Sequence, residues 1–234
     1  MKKFLFFSLL LLINACSSIN SKEVTKAEPK INSIQPDKSF ESSINAPVDI
    51  WERIRLELSI SIPDDQIAAT SLYRERLYKN QSAVNRISKS GQRYLYHTLT
   101  RAQEMDLPVE LALLPFVESE FDPYAKSVDG ATGIWQFMPA TGREWGLKSN
   151  WWYDGKKDVL ASTDAALNFL SYLHEKFEGD WLLAMAAYNT GPTRVNRAIR
   201  KNKREGRPTR FWDLDLPKET TAYVPKLLVL CELI

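Results

Sequence analysis

The sequence predicts an all-α fold, and three features carry that prediction. From Trp51 onward, apolar residues recur at three- and four-residue steps, the period of a helix with one buried face. Residues 108–118 include Val109, Leu111, Ala112, Leu113, Leu114, Phe116 and Val117, which leaves almost no polar face and marks a helix meant for a core. Residues that start and stop helices fall at the ends of the periodic stretches, as Asp158 and Gly179 do.

Taken in order, Trp51, Ile54, Leu58 and Ile62 form one stripe, predicted to run as a helix until Pro63 ends it. A second helix is predicted over residues 66–78, and a third through Tyr94, Leu95, Thr98, Leu99 and Ala102, stopping near Asp106. Pro108 then belongs in a first turn, with Asp106 or Leu107 at the cap. Pro115 lacks an N–H, so it is predicted to kink this helix and free the carbonyl of Leu111. Asp129-Gly130 and Gly133 mark tight turns, with room for a small β-hairpin. Pro139 opens a helix that Gly146 ends. Asp158 caps a long helix with Leu160, Leu167, Leu170 and Phe177 on one side. Residues 181–188 form a short alanine-rich helix, and residues 192–204 an amphipathic one with Val195, Ala198 and Ile199 inward. The last helix, within residues 216–234, contains Pro225 and closes on an apolar run, so the natural protein is expected to continue.

The start of the chain reads as an export signal. Lys2 and Lys3 precede an apolar run, residues 4–13, broken only by Ser8. That is about half the ~20 residues a membrane span needs. Ile13-Asn14-Ala15-Cys16 resembles the bacterial lipobox, in which Cys16 is lipidated and becomes the new N-terminus. The competing reading is an ordinary cleaved signal with an incidental cysteine. Ser17 is not the aspartate that often retains such proteins at the inner membrane, so the expected location is the periplasmic face of the outer membrane of a Gram-negative bacterium. Four segments result: a signal over residues 1–16, a polar, proline-punctuated tether over 17–47, a helical extension over 48–90, and the main domain over 91–234.

Charge and composition exclude several functions. The formal charge is +2, and removal of Lys2 and Lys3 leaves 29 bases against 29 acids, which argues against a nucleic-acid binder. Two cysteines and two histidines, far apart, make neither a zinc cage nor a disulfide scaffold, so no metal or cofactor is expected. His97 and His174 read as structural, and Cys231 as a small buried hydrophobe. Arg194, Arg197, Arg200, Lys201, Lys203, Arg204, Arg207 and Arg210 form a basic stretch. It reads as a solvated face or as an attractor of peptide carboxylates or anionic lipid head groups. The sequence does not give an oligomeric state.

Glu118 stands out. It closes the apolar segment, where burial and the negative end of a helix both disfavour its charged form. A raised pKa suits a general acid near neutral pH, although most glutamates at helix ends merely cap or solvate them. Glu120 and Asp122 lie close by. Asp122, before Pro123, reads as a turn former.

Four stretches in order then carry a family resemblance: Glu118-Ser119 with Phe121-Asp122-Pro123; Gly133-Ile134-Trp135-Gln136-Phe137-Met138-Pro139; Ala187-Tyr188-Asn189-Thr190-Gly191; and Glu219-Thr220 with Tyr223-Val224. Together they resemble the catalytic domain of the bacterial lytic transglycosylases, over about residue 48 to the end. The resemblance implies a lysozyme-like all-α domain acting on peptidoglycan strands. Cleavage between N-acetylmuramic acid and N-acetylglucosamine would leave 1,6-anhydro ends, with Glu118 as the single acid and base. It implies further roles. Ser119 would bond substrate or orient Glu118. Gln136 and Met138 would line the sugar groove, and Tyr188 would hold Glu118 or an acetamido group. Asn189 would brace its loop, while Glu219 and Tyr223 would close the cleft and meet the peptide stem. Trp135, Met138 and Tyr188 have core packing as the plainer alternative. The rival functions are a hydrolytic muramidase and an inactive peptidoglycan-binding lipoprotein.

Overall fold

The computed structural model describes residues 49–234. The expected signal, Cys16 and the tether lie outside the described residues. Among the described residues ten α-helices follow one another: α1 (Ile50–Glu57), α2 (Ile67–Tyr78), α3 (Gln81–Gly91), α4 (Leu95–Glu104), α5 (Leu114–Ser119), α6 (Pro139–Glu144), α7 (Val159–Lys176), α8 (Trp181–Thr190), α9 (Pro192–Arg204) and α10 (Lys218–Leu233). There is no extended strand among them. The expected hairpin reduces to isolated antiparallel bridges, Lys126 with Thr132 and Thr132 with Phe137. The all-α class is borne out.

The caps explain most boundaries. The Asp158 carboxylate accepts the free N–H groups of Leu160 and Ala161 at the start of α7, and the Asp180 carboxylate accepts that of Leu183 at the start of α8. Pro139 and Pro192 open α6 and α9. The alanine-rich α8 is central, packed against α7, α9 and α10. Its small side chains, Ala184, Ala186 and Ala187, are fully buried, which lets these neighbours approach closely.

Three expectations are corrected. The first helix ends at Glu57, not at Pro63, because Leu58 turns extended. The cause is Glu110, which is fully buried and accepts the backbone N–H groups of Ser59 (2.5 Å) and Ile60 (2.6 Å). A helix through Ile62 would withdraw those donors. The apolar segment after Pro108 is not one kinked helix. It is a 3-10 turn, Val109–Leu113, followed by α5, with Pro115 in the first turn of α5. Pro108 caps the 3-10 turn from outside, and the Leu111 carbonyl is not freed, since the Leu114 N–H donates to it. On α7, Leu160 is 60% exposed, whereas Leu167 and Leu170 are fully buried.

α2 lies on α10, and a two-bond ion pair fastens them: Arg74 donates to both oxygens of Glu232, at 2.7 and 2.5 Å. The basic stretch of α9 and its exit is solvent-exposed, with Lys201 paired to Asp215 and Arg210 to Asp213. Cys231 is buried and unpaired, and burial pushes its thiol pKa up. No helix among the described residues is long and apolar enough to cross a membrane.

Replacing Glu110 by alanine leaves two backbone donors without their partner. This variant should lose about 1–3 kcal/mol of stability, read from urea denaturation midpoints.

Candidate active site

The site is built around one turn. Gly133 adopts φ +83°, and a Cβ there would lie 1.8 Å from the Lys156 carbonyl oxygen, so no other residue fits. The next residues are pinned from three helices. The Trp135 indole is fully buried and donates to Thr163 of α7 at 3.0 Å. The Tyr188 hydroxyl of α8 donates to the Trp135 carbonyl at 2.8 Å, and the Ser119 hydroxyl of α5 donates to the Ile134 carbonyl at 2.9 Å. Gln136 is held at φ 46°, a left-handed conformation uncommon outside glycine.

Facing this turn, Glu118 occupies the last turn of α5. The helix stops at once because Glu120 and Phe121 both turn left-handed, at φ 50° and 61°. Such residues cost on the order of 1 kcal/mol each and persist where surrounding packing holds them. Phe121 is held by burial and by an edge-on contact with Phe116, ring centres 4.6 Å apart. Glu120 itself points away and pairs with Arg86 at 3.5 Å. Asp122 makes its turn bond, accepting the Tyr124 N–H at 2.8 Å.

Between these parts runs a groove of about 710 Å³. Of the eight sequence-predicted substrate-site residues, seven line it: Glu118, Gln136, Met138, Tyr188, Asn189, Glu219 and Tyr223. Ser119 does not, since its hydroxyl is committed to the turn. The bond to Glu118 expected of Tyr188 is made by Tyr223 instead. Tyr188 holds the turn, and Tyr223 donates to the Glu118 carboxylate at 2.6 Å. Gln136 turns its amide N–H back to the Gly133 carbonyl at 2.8 Å, which leaves its amide oxygen for a ligand. Asn189 is braced by the hydroxyl of Thr220, itself buried, at 2.8 Å.

Sequence reasoning missed the aromatic wall. Trp145 lies against Phe169 (5.0 Å between ring centres) and Tyr172 (5.6 Å), and Phe169 against Tyr188 (5.4 Å). Trp145 ends α6, and Phe169 and Tyr172 belong to α7; all three lie outside the recognised motifs, and nothing local distinguishes them from core aromatics.

Electrostatics single out Glu118. Burial raises its pKa from about 4.5 to about 7, against the opposing bond from Tyr223 and with help from the negative charge of Glu219. Burial first, and the Glu118 charge second, push the Tyr188 and Tyr223 hydroxyls far above the ordinary phenol range, so both remain donors. Among the described residues no group of three or more His, Cys, Asp or Glu could hold a metal ion.

Residues 95–211 match the protein family described as the transglycosylase SLT domain. The chain belongs to that family. The SLT match contains α4 to α9, and with them Glu118, the turn and most of the groove. Membrane-bound lytic murein transglycosylase D of Escherichia coli (strain K12) is 43% identical over 193 residues, 82% of this chain and 42% of that protein. The chain thus spans less than half the length of that curated relative. A protein of Alteromonas sp. (strain M-1), named for tributyltin chloride resistance, is 45% identical over 124 residues, 53% of this chain and 60% of that one. Among solved structures, an inactive mutant of lytic transglycosylase Slt from Pseudomonas aeruginosa aligns with a TM-score of 0.49 and 28% identity, covering 58% of this chain and 23% of that one.

The raised carboxyl makes stability depend on pH. Below about 4.5 Glu118 is neutral both folded and unfolded. Between about 4.5 and 7 only the unfolded chain ionises, so stability falls as pH rises through that window. Glu118→Gln removes this penalty. The variant should be more stable than the parent by about 3 kcal/mol at pH 8, with little difference at pH 4. Melting temperatures across that range check it.

Proposed function

We propose that this protein is a lytic transglycosylase of peptidoglycan, cutting the bond between N-acetylmuramic acid and N-acetylglucosamine without consuming water. The observation that carries the reading is the Glu118 carboxyl, opening into the sugar-sized groove with its pKa raised to about 7. The Escherichia coli relative is named as a lytic murein transglycosylase. At neutral pH such a group holds its proton often enough to give it up, and accepts it back as readily.

The chemistry follows from that one group. Protonated Glu118 donates to the glycosidic oxygen as the bond to C1 breaks. The carboxylate so formed keeps the hydroxyl bond from Tyr223, which favours the charged state at the moment it is needed. It then removes the proton from the muramic acid 6-hydroxyl as that oxygen attacks C1, closing the 1,6-anhydro ring. The substrate supplies the nucleophile, so the paired carboxylates of ordinary glycosidases are not demanded. Met138 and the aromatic wall offer apolar faces to the sugars, and the Gln136 amide oxygen accepts from a substrate N–H or hydroxyl. Ser119, Tyr188 and Asn189 position the groove rather than touch the reacting atoms. In this reading the protein acts at the cell envelope, held to the periplasmic face of the outer membrane by a lipid on Cys16. The Escherichia coli relative is named as membrane-bound.

Mass spectrometry of fragments released from purified sacculi tests the reaction. Products lighter by one water, with 1,6-anhydro ends, are expected. Hydrated reducing ends would make the protein a muramidase, and binding without products would make it an inactive binder. Glu118→Gln should lower the rate by ~10²–10⁴ while keeping binding.

The pH profile gives a second check. Activity needs protonated Glu118 and should decline as pH rises through about 7. Tyr223→Phe removes the bond that favours the carboxylate and should move this limb upward. Glu219→Gln removes a negative neighbour and should move it downward. No shift, or a shift of the opposite sign, in either variant would show that the residue replaced does not act on Glu118 in this way.

A further inference from the structure

A second cavity, of about 290 Å³, lies between α2, α5 and α10. Its walls are apolar, from Leu77, Phe116, Val229 and Leu230, with Tyr73 beside them. Its only charged lining side chains are Arg76 and Lys226, and no acid lines it. Neither cation has an ion-pair partner among the described residues, whereas nearby Arg74 is taken up by Glu232. Two uncommitted cations over an apolar floor suit a ligand with carboxylates and short aliphatic side chains.

The cavity is not isolated. Val117 and Lys226 line both it and the groove, and Val117 directly precedes Glu118. A strand lying in the groove with a branch near the bond being cut can therefore send that branch over Val117 into the cavity. Peptidoglycan has such a branch: a short peptide, rich in alanine and carboxylates, on the muramic acid. We propose that this cavity binds the peptide stem, with Arg76 and Lys226 pairing to its carboxylates. The proposal rests on the peptidoglycan reading above. It gives α2 and residues 226–230, which lie outside the segment matched by the SLT family, a part in substrate selection.

The test uses Arg76, which is exposed on α2 and lies outside the catalytic groove. Two substrates are compared: glycan strands with stems, and the same strands stripped of stems by an amidase. Arg76→Glu should raise KM about five-fold or more on stem-bearing strands, with kcat unchanged, and leave the stripped strands unaffected. Arg76→Lys should restore most of the difference. Equal effects on both substrates, or none on either, overturn the proposal while leaving the transglycosylase reading intact. If the parent protein cuts neither strand, that reading fails. Calorimetric titration with a synthetic L-Ala-γ-D-Glu-diaminopimelate peptide then decides about the cavity. Binding that Arg76→Glu weakens supports it, and binding that is absent or indifferent to the variant overturns it.

Discussion

Desolvation of the Glu118 carboxyl is the constraint on which the rest of the groove depends. A carboxyl left fully in water would be ionised at neutral pH and useless as an acid. One buried without partners would destabilise the fold by several kcal/mol when charged. The structure lies between these limits. Burial raises the pKa, the Tyr223 hydroxyl limits the rise, and Glu219 pushes it further. Since Tyr223 and Glu219 belong to α10 and Glu118 to α5, the acid is tuned only when the two helices are docked.

The facing wall is held in a comparable way. Trp135 is the largest fully buried side chain of the core, and the backbone on either side of it carries the carbonyls that Ser119 and Tyr188 grip. Hydroxyls that would otherwise be free to contact substrate are spent on geometry. What faces the groove includes the Gln136 amide oxygen, the Met138 thioether, aromatic faces, the carboxylates of Glu118 and Glu219, and Lys226. A surface of this kind recognises an extended, hydroxyl-rich chain by stacking and a few directed bonds.

Much of this was legible in the sequence. The helix start at Asp158 follows from capping chemistry, which is local, and Glu118 follows from its position at the end of an apolar run. Side-chain destinations across the fold were not legible. Glu110 sits in the same apolar run and breaks its pattern, yet only the tertiary structure shows that it reaches back to Ser59 and Ile60 and stops α1. Tyr188 and Tyr223 each carry one hydroxyl into one groove, and which of them meets Glu118 depends on how α8 and α10 cross, a relation no spacing encodes. Pro115 suggests a kink because the sequence shows a missing donor but not whether the turn before it is 3-10 or α.

The reach of Glu110 also bears on modularity. The segment that defines the family begins at residue 95, so it includes this buried carboxyl but not the backbone donors that satisfy it. Cut at that boundary, the segment would carry an acid into its core with nothing to receive it. The segment matched by the family is therefore smaller than the unit that satisfies its own buried groups. Any transplant of this domain into another protein must bring the preceding helices along, or exchange Glu110 for an apolar residue in the same step.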